Sequence, residues 1–248
     1  MSIYITGDCH RNFKRFSTDN FPEQKEMTKD DYVIILGDFG YWDSTVNNEW
    51  WMNWLNDKPF TTLFVDGNHE NFDMLKALPT ENWNGGKVQK IKDSVIHLMR
   101  GEVYNLQGST FWCFGGAQSH DIQDGILEPN APDFKLKKAE LDKRGAMYRI
   151  NHLSWWAEEM PNRMEMEFGL STLEDYGHKV DYILTHDAPF KAMYLVYPGY
   201  IELNRLNKYL DYVDDITEYK RWFFGHHHEN RNIDDRFTLL YEQIIKLN

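Results

Sequence analysis

Short runs of β-branched and aromatic residues recur at positions 3–6, 32–36, 62–65, 182–184 and 222–224. They are apolar on successive positions rather than alternate ones, the pattern of a strand covered on both faces. Each run is followed within two positions by Gly, Asp, Asn or His. Between them, apolar residues recur at spacings of three and four, as in Trp51/Trp54/Leu55, Phe72/Leu75/Leu78 and Leu203/Leu206/Leu210. That spacing lines one face of a helix. Strands alternating with helices predict an α/β architecture.

The stretch 95–116 reads differently. Segments 101–106 and 108–114, punctuated by Gly101 and Gly108, suggest antiparallel hairpins and hence a second or mixed sheet. From about 117 to 177 the chain turns polar and helical, with Lys135, Lys137 and Lys138 on a solvated face and Ser154 as a cap before Trp155-Trp156-Ala157-Glu158-Glu159. This segment is expected to be a partly helical insertion over one end of the sheets. No repeat, low-complexity tract or linker divides the chain, so 1–248 is expected to be a single domain.

Composition narrows the function classes. A formal charge of −12 opposes the extended phosphate contact by which proteins hold duplex nucleic acid. Two cysteines, Cys9 and Cys113, are too few for a disulfide framework and suit a reducing compartment. No apolar stretch approaches the roughly 20 residues of a membrane span, and no basic leader precedes the first strand. The expectation is a cytoplasmic protein with no membrane partner.

Five segments place metal-competent side chains at strand ends: Gly7-Asp8-Cys9-His10, Gly37-Asp38-Phe39-Gly40, Gly67-Asn68-His69-Glu70, Thr185-His186-Asp187 and Gly225-His226-His227-His228. In open α/β sheets, ligands converge at the carboxyl ends of strands. Residues two apart on extended backbone project to one side, which pairs Asp8 with His10 and His226 with His228 and turns Cys9 and His227 away. The donors are Asp8, Asp38 and Asn68 with four imidazoles, His10, His186, His226 and His228. Oxygen and nitrogen donors without thiolate suit Mn, Fe or Zn. Seven donors exceed one tetrahedral ion, and a bridging carboxylate would divide them into two sites.

These motifs, GDxH, GDxx, GNH[DE], a lone His after a strand and GHxH, all present and in order over 3–228, resemble those of the calcineurin-like metallophosphoesterases. The resemblance implies two mixed β-sheets packed face to face with helices outside. It implies one ion held by Asp8, His10, Asp38 and His228, a second held by Asp38, Asn68, His186 and His226, and Asp38 as the bridge. Two divalent ions are expected, Mn2+ foremost, with Fe, Zn and Ni able to use the same donors. The implied activity is hydrolysis of a phosphate ester, of a small molecule or nucleotide, by hydroxide shared between the ions, with His69 as general acid. The stretch Phe114-Gly115-Gly116-Ala117 and Ser154-Trp155-Trp156 also looks like a bacterial and phage-associated branch.

The resemblance departs from the phosphoprotein phosphatases at Gly37-Asp38-Phe39-Gly40-Tyr41-Trp42-Asp43, which lacks their arginine and has Tyr41 at the orienting position. Arg11 either reaches a substrate phosphate or is an ion-paired surface residue. Trp155, Trp156, Tyr41 and Trp42 at these spacings more often fill a core than stack on a base. His120 and His178 read as surface histidines, and Cys9 as a buried, inert thiol. Two rival readings are a nuclease acting on short or single-stranded nucleic-acid ends and a non-catalytic scaffold with the same fold.

Overall fold

A computed structural model describes residues 1–41, 43–199 and 203–247. Its strands in chain order are β1 (Ile3–Thr6), β2 (Tyr32–Leu36), β3 (Thr61–Val65), β4 (Thr80–Trp83), β5 (Gly86–Lys92), β6 (Val95–Leu98), β7 (Val103–Leu106), β8 (Ser109–Phe114), β9 (Ile126–Leu127), β10 (Arg149–Ile150), β11 (Tyr182–Thr185), β12 (Arg221–Phe224), β13 (Arg231–Asn232), β14 (Phe237–Leu239) and β15 (Ile245–Leu247). The helices are α1 (Val46–Asn56), α2 (Phe72–Lys76), α3 (Phe134–Arg144), α4 (Arg163–Asp175), α5 (Phe190–Val196) and α6 (Arg205–Ile216).

Two mixed sheets form, in the orders β15-β1-β2-β3-β6-β5-β4 and β13-β14-β12-β11-β8-β7. The centre of each is parallel and the margins antiparallel, with β7 and β8 paired as the predicted hairpin. Ile34 and Leu36 face Leu184 and Phe223 in a cluster between the sheets, while Val33 and Ile35 face outward into a second cluster with Met52 and Leu55 of α1. On the other side, Trp112, Ile183, Trp222 and Phe224 pack under α4, α5 and α6. The result is a sandwich flanked by helices. Both faces of β2, β8, β11 and β12 are covered, which is why these strands are apolar throughout.

Helix phases follow the predicted spacing with local exceptions. On α1, Met52 and Leu55 are buried, but Trp50, Trp51 and Trp54 pack on one another at its partly exposed side. Leu206 and Leu210 of α6 are buried, whereas Leu203 precedes the helix and is exposed.

In the segment 117–177, β9 and β10 form a small parallel pair beside α3. α4 carries Leu173 into the outer core of the second sheet. Ser154 does not cap a helix as predicted. Its Oγ accepts the Ile150 N–H in a turn, and the cap of this region is Asn162, whose box with Glu165 opens α4. Trp156 is 1% exposed and donates from Nε1 to Asp73, so it belongs to the core. Tyr41 packs against the same cluster, and Trp42 lies outside the described residues. Cys9 is buried, with its thiol pushed up to about 12 by burial.

Candidate metal centre

The loops leaving β1, β2, β3, β11 and β12 meet at one edge of the sandwich. Backbone bonds lace them: Cys9 and His10 both donate to Asp38 O, and Arg11 donates to Phe39 O. The pairing of residues two apart arises differently from the prediction. His10, His226 and His228 have φ of 45, 67 and 50°, and Asp38 has 44°, so the chain is kinked into the left-handed region rather than extended. His and Asp tolerate that region better than most residues.

Two groups of side chains converge there, Asp8, His10, Asp38 and His228 in one and Asp38, His186 and His226 in the other, with ligand-capable atoms within 4.8 Å of one another in each. Asp38 belongs to both. Asn68 joins the second group, its Oδ1 lying 3.1 Å from His186 Nε2. His227 turns away toward Asp187 at 3.5 Å.

Several observations test whether these residues fit divalent ions. Asp8 Oδ2 is fully buried without an aligned hydrogen-bond donor, although His228 Nε2 lies 3.2 Å away. His10 Nε2 and His228 Nε2 approach to 2.9 Å, nitrogen to nitrogen, as two ligands of one ion do. His186 Nδ1 donates to Leu36 O at 2.7 Å, which leaves Nε2 to face Asp38 Oδ1 at 3.3 Å. The donor set and this outer bracing fit divalent cations.

The charges are coupled. Burial opposes ionisation of Asp38, but His186, His69 and His10 hold its carboxyl well below the usual range. Burial likewise opposes charging of His186, yet Asp38 and Asp8 lift it to about 10. Buried His226 is pushed well below its ordinary value, first by desolvation and then by His186. A cation would replace the proton shared among these groups.

His69 donates its backbone N–H to Asp38 Oδ1 at 2.8 Å, and its ring stands edge-on to His10 at 5.2 Å. With His10, Arg11 and Gly40 it lines an open cavity of about 370 Å³. Burial lowers its pKa, Asp38 opposes that, and the nearby Arg149 adds to it. Arg149 is itself paired with Asp121.

Arg11 is unusual. Its φ is +62°. For a residue that is neither Gly, Asn, Asp nor His, this region costs about 1–2 kcal/mol. Its guanidinium meets Asp43 Oδ2 at 3.0 Å, both side chains being partly exposed. Such surface pairs contribute about 0–1 kcal/mol. The pair does not offset the backbone cost.

Supporting residues escaped the sequence reading. Ser119 Oγ accepts from Asn68 Nδ2 at 3.3 Å and donates to Glu159 Oε2 at 2.5 Å, which aims Asn68 Oδ1 at the second group. Glu70 accepts from the N–H groups of Phe39, Gly40 and Tyr41 at 2.7, 3.0 and 3.0 Å, and burial then Asp38 push its carboxyl up to about 8. Asp66 is held by Arg100 and His97 just before the Asn68 loop. A further cavity of about 450 Å³ is lined by these three and contains none of the expected ligands. His120 is exposed, as expected, and its Nε2 nonetheless lies 3.0 Å from His226 Nε2 with the rings stacked. Only the Gly115-Gly116 turn ahead of Ser119 could have pointed to this segment.

Comparison with known proteins agrees with the geometry. Over 149 residues the chain is 27% identical to lariat debranching enzyme A of Xenopus laevis, covering 52% of this chain and 26% of that protein. Over 205 residues it is 24% identical to the lariat debranching enzyme of Schizosaccharomyces pombe, covering 76% of this chain and 37% of that protein. The chain thus spans well under half the length of either relative. The profile of the calcineurin-like phosphoesterases matches residues 1–230, so the chain belongs to that family.

Proposed function

We propose that the chain hydrolyses a phosphodiester at a centre of two divalent ions. One ion would be held by Asp8, His10, Asp38 and His228, the other by Asp38, Asn68, His186 and His226. The observation that carries this is the convergence of both donor groups on the single carboxylate of Asp38. When bound, the ions supply Lewis acidity to water and positive charge to the phosphoryl oxygens. His69, at the wall of the open cavity, donates a proton or hydrogen bond to the leaving-group oxygen. Glu70 fixes the 39–41 turn, and Ser119 with Glu159 fixes the amide of Asn68, so neither wall of the site must reorganise during the reaction.

Mn2+ is the expected metal. Oxygen and imidazole donors also accept Fe, Zn and Ni, so availability shares in the choice. The substrate reading is a diester, supported by relatives named for lariat debranching; a nucleic-acid diester is therefore the second reading. The charge of −12 favours a short or single-stranded segment over a duplex.

The test is metal-stripped protein with Mn, Zn, Fe, Ni, Mg or Ca added back, assayed on p-nitrophenyl phosphate and bis-p-nitrophenyl phosphate. Restored activity that prefers the diester, and is lost with the metal in Asp38→Asn, is the expected result. A monoester preference would overturn the diester reading, and full metal content with normal activity in Asp38→Asn would overturn the bridge.

A further inference from the structure

Nine non-glycine residues among those described have positive φ, and only Arg11 and Gln107 are neither His, Asp nor Asn. Gln107 sits beside Gly108 at the tip of the β7–β8 hairpin, an ordinary place for such a backbone. Arg11 sits inside the metal centre, directly after His10. Its conformation is imposed by the bond from its N–H to Phe39 O and by the close packing of Gly40 against its backbone. Glycine would occupy this position without strain. The ion pair with Asp43 does not offset the cost of an arginine there, and the geometry directs attention to what the side chain meets.

That side chain lines the same open cavity of about 370 Å³ as His10 and His69. Among the described residues, one guanidinium nitrogen is bonded to Asp43, and Nε and Nη1 have no protein partner. A planar cation with spare donors at the mouth of a phosphoesterase cavity matches the oxygens of a phosphoryl group. We propose that Arg11 binds the substrate phosphate, donating from its unpaired nitrogens to a non-bridging oxygen while Asp43 holds the guanidinium toward the cavity. Arg11 thus supplies from the protein itself a positive group for an anionic ester approaching a chain of net charge −12. The inference rests on the phosphoesterase reading of this site.

Arg11→Gly, Arg11→Lys and the parent protein, each loaded with metal, are compared by thermal unfolding, by calorimetric binding of inorganic phosphate and by turnover of bis-p-nitrophenyl phosphate. Arg11→Gly is expected to melt at least 2 °C higher through relief of strain. It should bind phosphate about tenfold or more weakly, with KM raised by a similar factor and kcat changed less. Arg11→Lys keeps charge and strain but not the fork, and should fall between the two. Unchanged phosphate affinity and KM in Arg11→Gly would overturn the proposal, whatever the melting temperature does. A parent protein that turns over no ester would count against the phosphoesterase reading instead, and the phosphate titration would still decide the role of Arg11.

Discussion

Gly67 precedes Asn68, and a methyl group placed on it would lie 2.1 Å from Asp38 Oδ1 and 2.2 Å from Asp38 N. A carboxylate can rotate away; a backbone nitrogen cannot. Relief therefore requires the 67–69 loop to separate from the 37–39 loop by about 1 Å. Overpacking of this kind costs about 1–3 kcal/mol, occasionally more. For a chain of this size that corresponds to a fall in Tm of about 2–12 °C. The functional cost is larger, because the bond from His69 N–H to Asp38 Oδ1 and the approach of Asn68 to the second ligand group are both broken by the separation. Misplacement of catalytic groups by about 1 Å costs about 10²-fold in rate. Gly67→Ala should lose at least that in kcat/KM together with part of its bound metal. Gly108→Ala is the control: it has φ of +83° and no neighbour within 4 Å of the added methyl, so it should lose stability and keep kinetics. Melting curves, metal content by mass spectrometry and diester kinetics on both variants decide the matter. A Gly67→Ala protein with parental metal content and kcat/KM would refute the placement of Asp38 against this loop.

His69→Asn should retain both ions yet slow esters with poor leaving groups by about 10²–10⁴-fold; an equal rate on such esters, measured beside the parent, would remove His69 from proton donation. Ser119→Ala takes the acceptor from Asn68 Nδ2 and should weaken the second ion by about 10–100-fold in a metal titration, leaving the first unchanged. Equal affinities at both sites would mean that the Asn68 amide is oriented without Ser119. Arg100→Met strands the buried carboxylate of Asp66, whose pKa burial would raise but which Arg100 and His97 hold well below its ordinary range. Breaking a buried pair from one side costs about 3–5 kcal/mol. Chemical denaturation should show that loss, and a change below about 1 kcal/mol would show that His97 alone suffices for Asp66.

The convergence of the expected ligands was legible because two independent signals coincide in each of the five segments. A short apolar run announces a strand, and a metal-competent residue follows within three positions, so the fold itself brings the five segments together. The residues that aim those ligands carry no such local mark. Ser119 and Glu159 are 40 positions apart, Asp66 and Arg100 are 34 apart, and His120 and His226 are 106 apart. Each taken alone resembles a turn or surface residue, and only the packing of one loop on another makes it a partner.

Backbone conformation shows the same boundary between local and tertiary causes. The glycines ahead of Asp8, Asp38, Asn68 and His226 were readable as permission for a sharp bend. At Gly67 the constraint is instead the backbone nitrogen of Asp38, with its carboxylate, occupying the space a Cβ would need, an approach across 29 residues of chain that no local pattern encodes. At position 11 the bond to Phe39 O and the close packing of Gly40 demand a glycine-like backbone, and the chain places an arginine there. Local propensity fails at that point because the residue answers to the cavity rather than to the turn. A conflict between propensity and backbone that lies within the ligand cluster is the kind of exception that marks a functional side chain.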